Sequence, residues 1–169
     1  MKKIIIVSLV VLVTAIMLVT GCGEEKVAEN GDTVSVHYTG TLDDGTQFDS
    51  SVGKEPLEFV LGAGNMITGF ENAVRGMKVG ESKTVTLPPE EAYGQPRDDL
   101  LIRFDLDELP EGPTPRVGQY LVLTMTNGQS VQKPVVEVTD SYIIVDANHE
   151  LAGKTLTFEI ELVSIDPAE

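Results

Sequence analysis

The chain has few of the groups that bind metals or attack substrates. Its two histidines, His37 and His149, have no cysteine or second histidine at ligand spacing, which disfavours a zinc site. The segment DLDELPEGPTPR at 105–116 begins with acids like a calcium-binding loop, but its interior prolines and the arginine at its twelfth position disfavour that use. We therefore expect no metal and no other cofactor.

Hydrolytic and phosphoryl-transfer chemistry also lacks its usual signals. The run FDSS at 48–51 faintly resembles an aspartic-protease turn, but it lacks the glycine and has no second copy to complete a carboxylate pair. The chain contains neither a GxSxG motif nor a glycine-rich loop for phosphate. These enzyme classes are set aside.

Apolar side chains at turns and element ends are more informative. Each lies next to a glycine, an aspartate or a loop: Tyr38, Phe48, Met66, Ile67, Phe70 and Tyr93. Any one of them alone is more simply explained as core filling. Together they favour a concave apolar site with a few polar groups, as in pockets that bind small ligands or peptides.

Residues 1–21 have the layout of a secretory signal, with Lys2 and Lys3 before an uncharged run at 4–19. The sequence VTGC at 19–22 resembles a bacterial lipobox, in which the cysteine is lipid-modified and becomes the new N-terminus. The alternative is an uncleaved N-terminal anchor, although a membrane span needs ~20 apolar residues. Both interpretations place the rest of the protein outside the cytoplasm.

Cys22 is the only cysteine, so the exported part has no disulfide. A single thiol at the end of a signal sequence is best explained as an acylation site. The formal charge of −15 disfavours nucleic acid as a partner and predicts repulsion from anionic lipids, so the tether should be covalent. We expect a polar, flexible linker at 22–32. The predicted location is extracytoplasmic, lipid-anchored to a bacterial-type cell membrane, the outer one if the cell has two.

Hydrophobic periodicity defines the elements that would position these side chains. Period-two alternation and turn residues predict strands at 33–41, 46–50, 57–61, 82–87 and 155–165. Apolar residues at three- and four-residue spacing predict one helical face: Ile67, Phe70, Ala73, Val74 and Met77. Thr68 and Glu71 form a capping-box pair at its start, and Gly76 should end it.

The stretch at 95–147 has a different character. It begins with the acidic, proline-rich LLIRFDLDELPEGPTPRVG and continues as a three-strand meander at 120–126, 131–138 and 142–146, with a turn at 127–128. We predict an α+β fold, an antiparallel sheet wrapped around one short helix, with a small all-β insert. The domains would be 33–94 with 148–166, and 95–147.

Four segments resemble the FKBP-type peptidyl-prolyl isomerases: VHYTGTLDDGTQFDSS, PLEFVLGAGNMITGFENAVRGMKVGE, PPEEAYGQ and LTFEIELVSI. The resemblance runs in order from about Asp32 to Ile165. The insertion at 95–147, followed by VDANHELAGKTLTF, is similar to the SlyD-like branch, in which an insert-in-flap domain with chaperone activity replaces the loop after Tyr-Gly.

This resemblance implies a proline site between the sheet and the helix. Its walls, rim and floor would be formed by Tyr38, Phe48, Asp49, Leu57, Phe59, Met66, Ile67, Phe70, Tyr93, Leu151 and Phe158. The Ile67 amide should bind a substrate carbonyl, and the Tyr93 hydroxyl should contact the peptide. Phe70 stands where many members have tryptophan and Leu57 where an aromatic residue is common, so less surface is available to stack on proline or on macrolide inhibitors.

Rotation of a prolyl bond needs no nucleophile, base or metal. The barrier of ~18–20 kcal/mol comes from amide resonance, and an apolar pocket can lower it by holding the twisted bond. The SlyD-like branch often has a histidine-rich, nickel-binding tail; this chain ends at IDPAE, so we expect no metal role.

The leading hypothesis is a monomeric, lipid-anchored isomerase that assists the folding of exported proteins. Its partners would be unfolded or partly folded proteins and Xaa-Pro peptides. The insert would bind these chains through Leu101, Ile102, Phe104, Leu121 and Val122, which could equally form its own small core. The alternatives are a holdase or peptide-binding surface lipoprotein with weak turnover and an adhesin or signalling lipoprotein that reuses the fold.

Overall fold

Alternating apolar residues form the long first strand of an antiparallel sheet. The structure, a computed structural model, describes residues 26–124 and 128–168. Five strands form the first sheet: β1 (Thr33–Leu42), β2 (Gln47–Ser50), β3 (Leu57–Val60), β4 (Ser82–Leu87) and β9 (Leu156–Asp166). Their order is β2-β1-β9-β4, and β3 pairs with the first half of β1.

One short helix, α1 (Thr68–Val74), packs against this sheet and closes its core. The predicted helical face is confirmed, since Phe70, Ala73 and Val74 are buried within the helix and Met77 just after it. Burying a phenylalanine of this kind stabilises the fold by about 1.5–3 kcal/mol. The predicted α+β class is therefore confirmed.

The predicted capping box is wrong. Ile67 is the N-cap residue, and no side chain caps the helix. Glu71 is instead buried, and its carboxylate accepts the backbone N–H of Gly64 at 3.2 Å. The loop before the helix therefore binds the Glu71 side chain, which the sequence pattern assigns to the helix N-terminus.

Most of the described part of the predicted linker is not flexible. Ala28 is only 1% exposed, and its N–H donates to the Met77 carbonyl at 2.9 Å while its carbonyl accepts the Gly76 N–H at 2.8 Å. Val27 forms a bridge with Lys78. Although this segment is mostly polar, its one alanine and one valine attach residues 26–32 to the core.

A second sheet lies between β4 and β9 in the sequence. Its strands are β5 (Leu101–Asp105), β6 (Tyr120–Thr124), β7 (Ser130–Val138) and β8 (Tyr142–Asp146), in the order β5-β8-β7-β6. It has its own small core of Val135, Ile143 and Val145. β5 was not predicted, because LIRFD lacks strict alternation and is flanked by acidic and proline-rich sequence.

Several predictions lie wholly or partly outside the described residues. These are the signal segment at 1–21, the acylation site Cys22, the linker at 22–25, the end of the predicted strand at 125–126, and Asn127 of the meander turn. None of the helices within residues 26–124 and 128–168 has the length and apolar character to cross a membrane.

Candidate active site

Five aromatic side chains from four strands and the helix form one contact cluster in the first sheet. Phe70 and Phe158 lie at its centre, edge to face, with 5.2 Å between ring centroids. Tyr38 meets Phe70 edge to face at 5.8 Å, and Phe59 meets it at 6.0 Å. Phe48 meets Phe158 edge to face at 5.7 Å. Such contacts fix ring orientation, each adding about 0.5–1.5 kcal/mol beyond area burial.

Gly40 allows this cluster to close. It pairs with Phe158 across β1 and β9, and the Phe48 ring lies directly over it. A Cβ at position 40 would lie 2.5 Å from Cζ of Phe48, which is closer than Cβ atoms approach other atoms, and a tight 3.1 Å from Cε1 of Phe158. The missing side chain therefore sets the distance between the Phe48 wall and the Phe158 wall.

Tyr38 and Asp49 form the polar edge of the cluster. The Tyr38 hydroxyl donates a 2.5 Å hydrogen bond to Oδ2 of Asp49, whose Oδ1 accepts the Ser50 N–H at 2.8 Å. Burial, and then this bond to a carboxylate, raise the pKa of Tyr38 to about 12. The hydroxyl therefore stays protonated and holds Asp49 beside the apolar wall.

Two groups of the protein that are predicted to donate hydrogen bonds to a substrate are free to do so. In the part of the chain that the structure describes, neither the Ile67 N–H nor the Tyr93 hydroxyl has a hydrogen-bond partner. Ile67 is half-buried at the start of α1, whereas Tyr93 is 40% exposed just after the short 3₁₀ helix Pro89–Glu91. Both groups are available to a ligand.

The remaining predicted site residues also lie at or near the first core. Leu151 is buried in it, and Leu57 and Met66 pack against it half-buried. Tyr93 differs from these, because among the described residues its ring contacts His149 and not the five-ring cluster. The structure thus places nine of the eleven predicted residues in or against one core. Asp49 is hydrogen-bonded to Tyr38 at the exposed edge of that core, and Tyr93 lies beside it.

His149 is the residue that the sequence reasoning missed. Its ring stacks on Tyr93 with 3.9 Å between centroids and 4° between planes. Its Nδ1 accepts the Leu151 N–H at 3.2 Å, which fixes the ring. Burial, followed by the charges of Asp49 and Glu150, raises the pKa of Tyr93. The NHELAG motif at 148–153 is the signal by which the sequence could have indicated this residue.

A groove of about 260 Å³ on the opposite face of the first sheet is less suited to proline. Polar side chains from β1, β4 and β9 provide much of its lining, including Thr39, Thr84, Glu159 and Glu161. An apolar pyrrolidine ring would gain little binding free energy from contact with such a polar surface. The aromatic cluster is therefore the better candidate site.

Over residues 26–124 and 128–168, no group of three histidine, cysteine, aspartate or glutamate side chains is placed to hold a metal ion.

The second sheet has an apolar groove of about 490 Å³. Phe104, Leu121 and Val122 line it together with a proline-rich loop at 109–115. Phe104 and Leu121 also pack on the small core, as the alternative interpretation of these residues expects, and their binding of unfolded chains stays a prediction. Leu101 and Ile102 are exposed but do not line this groove.

Comparison with known proteins identifies the class. The family model for FKBP-type peptidyl-prolyl cis-trans isomerases matches residues 24–163. The chain therefore belongs to the FKBP-type peptidyl-prolyl cis-trans isomerase family, an enzyme class.

Two relatives agree with this assignment by sequence. The chain is 36% identical over 141 residues to the FKBP-type 16 kDa peptidyl-prolyl cis-trans isomerase of Escherichia coli, covering 83% of this chain and 95% of that protein. It is 34% identical over 140 residues to SlyD of Vibrio cholerae, covering 83% and 69%. The crystal structure of FkpA from Escherichia coli aligns with a TM-score of 0.48 and 26% identity, over 87% of this chain and less than half (46%) of that one.

Proposed function

We propose that the aromatic cluster of the first sheet is the prolyl-binding site of this isomerase. The observation that carries the proposal is the closed arrangement of Phe48, Phe70 and Phe158, with Tyr38 and Asp49 at one edge. An apolar enclosure with a polar edge suits a proline ring whose flanking amides stay hydrogen-bonded.

The proposed mechanism uses binding energy alone. Removing water from the Xaa-Pro imide disfavours its charge-separated resonance form, which lowers the rotation barrier. The Ile67 N–H would hold a substrate carbonyl in place, and the Tyr93 hydroxyl would bind the chain on the other side. We expect both hydrogen bonds to be stronger when the prolyl bond is twisted than when it is planar. They would then stabilise the transition state more than the bound substrate.

We further propose that residues 95–147 form an insert-in-flap domain that binds unfolded chains. The support is a separate sheet with its own core of Val135, Ile143 and Val145, and an apolar groove lined by Phe104, Leu121 and Val122. Residues 33–94 and 148–166 would then form the isomerase domain. In this arrangement the chain leaves the first domain directly after Tyr93 and Gly94.

The signal sequence and the lipobox-like segment support export and acylation at Cys22. Ala28 is fixed in the core, so an extended chain from Cys22 would span about 20 Å at most. A lipid on Cys22 would therefore keep the isomerase close to the membrane surface, where exported chains emerge and begin to fold.

Deletion of residues 95–147, with Gly94 joined to Asn148 by a short loop, separates the two proposed activities. We expect the shortened protein to keep turnover of an Xaa-Pro tetrapeptide and to lose suppression of aggregation. Loss of tetrapeptide turnover in a protein with native circular dichroism would contradict the placement of the prolyl site in the first sheet.

The groove also supports a second candidate function, a holdase with weak turnover. The smaller stacking surface of Phe70 and Leu57 favours it. In that case the full chain would suppress aggregation, yet it would leave proline-limited refolding of a client unaccelerated.

A further inference from the structure

A third cavity, of about 460 Å³, lies where the two sheets meet. One wall comes from the second sheet, with Tyr120, Lys133 and Pro134, and the other from the segment before β9, with His149 and Glu150. It is distinct from the groove at Phe104 and from the aromatic cluster, and neither the site nor the groove described above accounts for it.

Specific hydrogen bonds hold the two walls of this cavity together. The Lys133 ammonium donates to the Asn148 carbonyl at 2.6 Å, across from β7 to the segment before β9. The Asn148 amide pairs with both backbone groups of Arg97, at 2.8 and 3.1 Å, and the Gly153 N–H donates to the Gly94 carbonyl at 2.8 Å. The cavity is therefore a built part of the fold.

The cavity is continuous with the proposed prolyl site through one side chain. His149 lines the cavity and also stacks on Tyr93 at 3.9 Å. A polypeptide that contacts the Tyr93 hydroxyl would therefore meet this cavity within a few residues of its proline.

The chemistry of the walls also fits a polypeptide. Tyr120 is 63% exposed and presents an aromatic surface for an apolar side chain. Within the described residues the Glu150 carboxylate has no ion-pair partner, while Asp146 accepts two hydrogen bonds from Asn148. Asp146 and Glu150 place two carboxylates in the walls against the single ammonium of Lys133, so the cavity favours a basic group on its ligand.

We propose that this cavity binds the stretch of the client chain that flanks the isomerised proline, with an apolar side chain on Tyr120 and a basic one at Glu150. The inference rests on the proposed function of the aromatic cluster. It gives the enzyme a preference for prolines in extended, positively charged segments over prolines in short or acidic ones.

Turnover of paired peptides by the purified full-length protein tests this inference. The first is an Xaa-Pro tetrapeptide, and the second is the same sequence extended on both sides by lysine and leucine residues. We expect kcat/KM to be higher for the extended peptide, and Tyr120→Ser to lower the ratio of the two values about fivefold. A third peptide has glutamate in place of lysine in the extensions. The wild type should prefer lysine to glutamate there, and Glu150→Gln should remove this preference.

Two variants serve as controls. Tyr120→Phe keeps the ring and should keep the wild-type ratio, as should Val117→Ser, because Val117 is 65% exposed but lines none of the three cavities at the sheets. An unchanged ratio in Tyr120→Ser together with equal turnover of lysine and glutamate extensions by the wild type would overturn the inference. Failure of the proposed function would differ, because the wild type would then not turn over the tetrapeptide at all.

Discussion

The Tyr38 hydroxyl donates a 2.5 Å hydrogen bond to the carboxylate of Asp49, at the edge of a cluster that is otherwise aromatic. Tyr38 comes from β1 and Asp49 from β2, so this bond ties the two strands together beside the Phe48 wall. The proposed prolyl site thus depends on a bond that exists only while the phenol is protonated.

Tyr38→Phe should change the response of the protein to alkali. The folded-state pKa of Tyr38 lies near 12 against an ordinary value of 10, so its contribution to stability is complete below pH 10 and disappears as the pH rises toward 12. Urea midpoints measured from pH 8 upward should fall for the wild type, and the variant should lack this component. If the urea midpoints of the wild type and the variant fell in parallel with rising pH, the role given to the Tyr38 hydroxyl would be contradicted.

Gly40→Ala should damage both stability and turnover. The added methyl group would force Phe48 away from Phe158, at a cost of about 1–3 kcal/mol in unfolding free energy. Displacing that wall should lower kcat/KM for a tetrapeptide by about ten- to hundredfold. Gly112→Ala is the matched control, because the nearest atom to its new Cβ lies 3.9 Å away. Similar losses in both variants would argue against a special role for Gly40.

Tyr93→Phe should affect turnover without affecting stability. The hydroxyl has no hydrogen-bond partner within the described residues, so its loss should change unfolding free energy by less than about 0.5 kcal/mol. Loss of a hydrogen bond to the substrate should lower kcat/KM by about three- to tenfold. The control is Tyr142→Phe, whose hydroxyl donates to Glu137 in the second sheet, and which should keep wild-type kcat/KM. Equal kcat/KM for wild type and Tyr93→Phe would remove Tyr93 from the site.

Asp32→Asn should weaken the protein at neutral pH but not in acid. The Glu29 N–H, and then Lys26 and the Ala168 N–H, lower the pKa of Asp32 from its ordinary 3.8, against the opposing effect of burial. The ionised carboxylate therefore stabilises the fold above pH 3.8, and this stabilisation disappears as the pH falls through the lowered value. Urea midpoints of the two proteins should converge toward pH 2; a constant difference would show that ionisation is not involved.

The strands and helix of the first sheet were largely predictable, because burial imposes alternation directly on the sequence. Val34 and Val36 are buried and two residues apart, which indicates the strand β1. Phe70 and Val74 are buried and four residues apart, which indicates the helix α1. β5 was missed because Leu101 and Ile102 are both exposed, so alternation is absent there.

The site was predictable in composition but not in geometry. The resemblance to a family supplied the residues, and nine of the eleven predicted side chains lie in or against one core, with Asp49 hydrogen-bonded at its edge. The stack of His149 on Tyr93 depends on where two distant segments meet, and no local pattern encodes that. The order in 26–32 depends on the burial of Ala28 against Met77, also a non-local contact.

The most direct test is a crossed experiment with Phe48→Ala in the aromatic cluster and Val122→Ser in the groove of the second sheet, where Val122 is largely exposed. Both variants are assayed for tetrapeptide turnover and for suppression of aggregation. We predict that Phe48→Ala loses turnover at least about tenfold while still suppressing aggregation, and that Val122→Ser shows the reverse. Full turnover by Phe48→Ala would contradict the central claim that this cluster is where the prolyl bond rotates.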